Sequence, residues 1–293
     1  MQQELDTSRA EVHVEGRSIG YLRAGEGPPL LLLHGWGGSV GYWRPTLAAL
    51  SDNFTLIAPE LPGFAGAQPL GEPASPKRLA DWVLAFADAL GIERFDLNGH
   101  SFSAGVAAHL TAAHPKRVRR LILTGFSTFR NEPERILVES IHHVLSLWMA
   151  LRRPWMAEKR LFYSVVGKRF FYHLPEDDAL LRASFRDFLQ MDKRTALESA
   201  ASAGDPQINI ILRSIPTPSL LIAGRQDEIM PPPGVPEVAR LIPDCRLAWI
   251  ERCGHLPMIE RPAIYQRLLR EFLSAAEPPP ADVPPPSLHP PIV

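Results

Sequence analysis

A chain of 293 residues, 45% hydrophobic and 22% charged, can bury one large α/β core with an insertion, or two small domains. Its 31 basic and 32 acidic residues leave a net charge of -1, so no global field points to nucleic acid or an anionic membrane. No apolar run is long enough to span a bilayer, the polar start lacks the zones of a secretory signal, and two cysteines (Cys245, Cys253) make no disulfide framework; a cytoplasmic protein is expected.

Short apolar runs alternate with helical patterns, which predicts a mostly parallel sheet covered on both faces. Val12–Val14 and Ile19–Ala24 alternate and read as a starting hairpin. Leu30–Leu33, Thr55–Ala58, Phe95–Asn98, Leu121–Thr124, Leu220–Ala223 and Arg246–Ile250 read as the following strands. Val40–Leu50, Pro76–Leu90, Phe102–His114, Val235–Leu241 and Pro262–Leu273 carry helix spacing, with Pro76 and Pro262 suited to a first turn. The alternation breaks between Ser127 and Ser214, where the pattern is helical throughout. The expected organisation is therefore a core of residues 1–126 and 215–276, a helical cap of 127–214, and a tail of 277–293. That tail has eight prolines in seventeen residues and is expected to lie outside the fold.

The run FDLNGHSFSAGVAAHL places Ser101 where a strand ends and a helix begins, which suits a sharp turn with an exposed hydroxyl. Such a turn needs small residues two before and two after, here Gly99 and Ser103. Serine is a weak nucleophile without an adjacent base, itself held by a third group. Asp227, in AGRQDEIMPP, and His255, in CGHLPMIERP, both follow strands and would reach the same sheet edge. Ser101 is the candidate nucleophile, His255 the base and Asp227 the acid that orients it. A tetrahedral intermediate needs two N–H donors: Phe102, after the serine, and Trp36, in the loop His34–Gly35–Trp36–Gly37. His34 and Gly35 are candidate substrate contacts in that loop.

LLLLHGWGG, LIAPELPGFAGA, LNGHSFSAG, AGRQDEIMPP and CGHLPMIERP together resemble the α/β-hydrolase superfamily. The likeness is to its serine-nucleophile carboxylesterase and C–C-bond hydrolase branch, and it covers residues 10 to 275 apart from the cap. It implies an α/β-hydrolase fold, a mostly parallel central sheet flanked by helices. It also implies hydrolysis of carboxylic esters through an acyl-enzyme, and the aromatic segment Trp148–Tyr172 points to small to medium apolar or aryl substrates. Glu60 stands where an aspartate is usual, and Ser103 replaces the elbow glycine. Position 101 is serine, which excludes the dehalogenase and epoxide-hydrolase branches that use aspartate. A C–C-bond hydrolase of a vinylogous diketone acid, an acyltransferase and a non-catalytic ligand-binding member remain alternatives.

Residues Trp148 to Tyr172 hold seven of the 24 aromatics, and Trp155, Phe162, Tyr163, Val166 and Phe170 share a helical face by spacing. Cap core is the plain reading; the functional one puts Trp155 and Phe162 in an apolar substrate pocket. Arg152, Arg153, Lys159, Arg160, Lys168 and Arg169 read as a solvated face or as an attraction for an anion. His100 reads as packing, and His142 and His143 face different directions and make a poor metal pair. No metal or nucleotide motif occurs, so neither a cofactor nor a metal is expected. The expected partner is a small ester-like molecule; oligomeric state is not legible.

Overall fold

The computed structural model describes residues 8–128, 147, 151–201, 205 and 207–275. Eight strands form one sheet: β1 (Ser8–Val14), β2 (Arg17–Ala24), β3 (Pro29–Leu33), β4 (Thr55–Pro59), β5 (Phe95–His100), β6 (Val118–Thr124), β7 (Ser219–Gly224) and β8 (Cys245–Ile250). Their order across the sheet is β1-β2-β4-β3-β5-β6-β7-β8. The pairs β1/β2 and β2/β4 are antiparallel and the rest parallel.

Consecutive side chains of a strand point to opposite faces, so an all-leucine strand needs cover on both. Leu31 and Leu33 join one buried cluster with α2 (Pro76–Ala89), α3 (Phe102–Ala113) and α8 (Val235–Leu241). Leu30 and Leu32 join the other with α1 (Arg44–Leu50) and α10 (Pro262–Leu273). Between β6 and β7 lie α4 (Arg160–Phe170), α5 (Asp178–Leu189), α6 (Lys193–Ala201) and α7 (Ile208–Arg213). No strand occurs among the described residues of this insertion. A four-residue α9 (Pro257–Glu260) precedes α10 in what reads by sequence as a loop.

The expected single helix over Val40–Leu50 is instead a 3-10 turn, Val40–Trp43, followed by α1. Pro45 explains the break. It has no N–H to offer Gly41, so the Arg44 N–H takes that carbonyl at the shorter i−3 spacing. Among the described residues no helix is long and apolar enough to cross a membrane. His142, His143, Trp148 and the proline-rich tail lie outside the described residues.

The chain runs from β3 outward to β4, then returns across β3 to β5. Loops leaving the C-terminal ends of β3 and β5 therefore diverge, which opens a crevice between them. The His34–Gly37 loop follows β3 and Ser101 follows β5, so the crevice is bounded by these two segments.

Candidate active site

Ser101 lies between β5 and α3 with φ 55 and ψ -120, a left-handed-side conformation rare for a non-glycine residue. Such strain costs on the order of 1–3 kcal/mol and persists only where neighbours over-determine it. Here the Ser101 N–H donates to Thr124 O (2.8 Å), and the Ser101 carbonyl accepts from Ala104 N (2.9 Å). A Cβ on Gly99 would sit 2.2 Å from the Ser103 carbonyl oxygen, so the turn tolerates only glycine there. Ser103 supplies more than small size. Its hydroxyl donates to His34 O at 2.5 Å and straps the elbow to the loop after β3.

The loops after β7 and β8 bring the other two candidates to this edge. His255 Nε2 lies 2.8 Å from Ser101 Oγ, and its Nδ1 lies 2.7 Å from Asp227 Oδ2. The other Asp227 oxygen accepts from Ile229 N (2.8 Å) and Met230 N (2.9 Å). With Oδ1 committed to backbone donors, Oδ2 is the oxygen left for the imidazole. An acceptor at Nδ1 places the ring proton there, so Nε2 carries a lone pair toward the serine hydroxyl. Gln226 joins the two loops: its N–H donates to Cys253 O, and its Oε1 accepts from Cys253 N. Glu260 on α9 accepts from Gly254 N (2.8 Å) on the histidine loop and from His173 N (2.8 Å) on the insertion.

Ser101 and His255 open on a cavity of about 90 Å³ walled by Gly35–Ser39, Tyr42, the α4 residues Tyr163, Val166 and Phe170, and the α5 residues Leu181, Phe185 and Phe188. On this measure one water needs roughly 10–15 Å³, so the space suits a short chain or one small ring. Among the described residues, no lysine or arginine lines it. Arg160 pairs with Asp178 and Arg169 with Glu228, while Arg153, Lys159 and Lys168 are exposed.

Gly35 and Trp36 line the cavity, and Phe102 opens α3. As a first helical residue, Phe102 has an N–H with no intrahelical acceptor. The Gly35 carbonyl accepts from His34 Nδ1 (3.1 Å) and Gly38 N (3.0 Å). A trans peptide sets its C=O and N–H in opposite directions, so these donors turn the Trp36 N–H away from themselves.

Three expected contacts are corrected. His34 does not line the cavity: it is wholly buried, donating through Nδ1 and accepting from Leu61 N at Nε2 (3.1 Å). Burial pushes it down to about 4, so it is neutral, and the 3.9 Å approach of Glu60 is not an ion pair. Trp155 is 56% exposed and stacks edge-on against Phe162 at 5.4 Å, and neither lines the cavity. The spacing failed because Trp155 sits in a 3-10 turn, Pro154–Glu158, and Lys159 is extended before α4 begins. Helical phase therefore does not carry from Trp155 to Phe162. Tyr163, Val166 and Phe170, from the same expected face, do line the cavity.

Tyr42 and the α5 residues carry no motif, Gln226 and Glu260 lie within AGRQDEIMPP and CGHLPMIERP but have no assigned role there, and His100 reads by sequence as packing only. Gln226 adjoins Asp227 within AGRQDEIMPP, and that adjacency is a signal that could have singled it out.

Glu60, beside the His34 loop, is pushed up to about 7, first by burial and then by the Asp187 carboxylate. An acid raised in the folded state binds its proton more tightly there than when unfolded. Stability should therefore fall as pH rises from about 4.5 to about 7 and level off above. Glu60→Gln should remove that slope, worth on the order of 3 kcal/mol, and raise the thermal midpoint at pH 8 more than at pH 5. Parallel midpoint-against-pH curves for the two proteins would refute the assignment.

Comparison with known proteins agrees with this layout. The family model for the alpha/beta hydrolase fold matches residues 28–262. The chain is 31% identical over 272 residues to a 2-hydroxymuconate semialdehyde hydrolase of Pseudomonas sp. strain CF600, covering 87% of this chain and 89% of that one. It is 26% identical over 247 residues to a pimeloyl-[acyl-carrier protein] methyl ester esterase of Neisseria meningitidis serogroup C, covering 83% and 92%. Among solved structures, a bacterial membrane phospholipase A superposes with a TM-score of 0.77 at 25% identity, over 91% of this chain and 86% of that one. Strand order, crossover point and sequence likeness agree, and the chain is a hydrolase belonging to the α/β-hydrolase family.

Proposed function

We propose that this protein is a cofactor-free hydrolase of small, uncharged carboxylic esters, with Ser101 as nucleophile. The observation that carries the reading is the unbroken line from Ser101 Oγ to His255 Nε2 (2.8 Å) and from His255 Nδ1 to Asp227 Oδ2 (2.7 Å), at the wall of an apolar cavity. Ser101 Oγ attacks the ester carbonyl carbon as its proton passes to His255 Nε2. The Trp36 and Phe102 N–H groups receive the oxyanion, and Asp227 balances the imidazolium. Collapse expels the alcohol with the proton held by His255. Water, deprotonated by the same imidazole, then releases the acid. The insertion acts as a cap that shapes the acyl site, and the protein works in the cytoplasm.

Relatives of this chain carry names of both an esterase and a semialdehyde hydrolase, and the cavity chemistry favours the ester. Burying a carboxylate without a cation costs several kcal/mol, and among the described residues no cation faces the space. A p-nitrophenyl ester series tests this. Each buried methylene contributes about 0.8 kcal/mol, so kcat/KM should climb roughly fourfold per carbon from acetate, then drop once the small cavity is full. Phe188→Ala should move the optimum to longer chains. If a carboxylate-bearing vinylogous diketone outruns every neutral ester, the C–C-bond reading replaces this one.

A further inference from the structure

The candidate base and the loop after β3 are joined by a line of hydrogen bonds in which every proton has one possible direction. Gly35 N–H donates to Tyr42 Oη. The Tyr42 hydroxyl lies 3.0 Å from His100 Nδ1, and His100 Nε2 lies 2.9 Å from the His255 carbonyl oxygen. The two ends decide the rest. A backbone N–H only donates and a carbonyl only accepts. A neutral His100 must hold its one ring proton on Nε2 and give it to His255 O, so its Nδ1 accepts, and Tyr42 accepts from Gly35 and donates to Nδ1.

We propose that Tyr42 and His100 are positioning residues that hold the His34–Gly35 peptide, which adjoins the Gly35–Trp36 peptide, and the His255 backbone in one fixed geometry, and so set kcat for the Ser101 chemistry. The inference rests on the hydrolytic reading given above. Packing alone needs no proton direction, whereas this line ends on backbone atoms directly beside the two groups that act on the substrate. At one end, Gly35 N–H fixes the residue before Trp36. At the other, the His255 backbone is held at both its carbonyl and its N–H, which donates to Phe170 O at 2.7 Å. The approach is close enough that a Cβ on Gly35 would lie 2.7 Å from His100 Nδ1. Both rings are buried, and they meet edge to face at 5.5 Å. Burial, then the neighbouring His255, holds His100 well below the ordinary histidine range, so it stays neutral and can accept at Nδ1.

Tyr42→Phe tests this because it removes one oxygen and keeps the ring. It leaves Gly35 N–H without its acceptor and His100 Nδ1 without its donor. Turnover per active site, counted by fluorophosphonate titration, should fall about tenfold with KM within twofold, and the rate of fluorophosphonate labelling should fall in parallel. A residue that only supports the fold would lower the titratable fraction or the thermal midpoint but not turnover per titrated site. ¹⁵N NMR of the His100 ring provides a readout independent of activity. Wild type should show the pure Nε2–H tautomer, and Tyr42→Phe should lose that purity. Turnover per site within twofold of wild type overturns the proposal, and so does an Nδ1–H or mixed tautomer in wild type. Should wild type neither label nor cleave esters, the hydrolytic reading fails by itself. The tautomer in wild type then decides whether the directed line exists, and it does so even if the variant does not fold.

Discussion

Ser101→Ala should lose ester hydrolysis by at least about 10³-fold while folding normally, because the substitution removes a single oxygen from the elbow. The residual rate would come from the oxyanion donors and from binding. A fluorophosphonate should label wild type at Ser101 and leave the variant untouched. Ser103 is the informative control. It lies two residues away, yet it is fully buried and its hydroxyl is committed to His34 O. Labelling at Ser103 would move the nucleophile and overturn the mechanism. A thermal midpoint close to wild type would show that the loss is chemical.

Asp227→Asn should cost nearly as much, about 10³- to 10⁴-fold in kcat, for a reason set by hydrogen-bond direction. Asp227 Oδ1 already accepts from two backbone N–H groups, Ile229 and Met230. An asparagine must place its carbonyl oxygen there, since an NH₂ would face two donors. Its NH₂ then points at His255 Nδ1, which can no longer carry a proton. The ring is left with its proton on Nε2 and cannot take one from Ser101. Size and packing hardly change, so stability should. The lost buried charge also weakens the imidazolium that forms during turnover. If Asp227→Asn retains more than a tenth of wild-type kcat, Asp227 does not orient His255. Glu228 is no substitute in that case, for its carboxylate points out to Arg169 at 2.9 Å.

Much of this molecule was legible because its signals are local. Strands Leu30–Leu33 and Leu220–Ala223 are uniformly apolar and Leu121–Thr124 nearly so, the composition favoured in segments buried on both faces. Ser101, Asp227 and His255 each sit in a short window just past a strand. A parallel sheet puts all such windows on one edge, so order along the chain stood in for distance in space. The hydrolase family followed from those windows together rather than from any one.

Tertiary structure decided whatever depends on the phase of a helix or on a partner far along the chain. Trp155 and Phe162 fell on the expected cap face only while the helix was taken as continuous, and the extended Lys159 resets the phase between them. His34 looked like a substrate contact because it opens the loop that lines the cavity, but both its nitrogens are spent on backbone groups. His100 looked like packing because its partners, Tyr42 and the His255 carbonyl, lie 58 and 155 residues away. Part of the cavity's apolar character likewise comes from α5, whose Leu181, Phe185 and Phe188 resemble any buried helical stripe in the sequence. Residue types and local spacing determined which groups could act. Only the packing of distant segments decided where each side chain points and which of its hydrogen bonds are already taken.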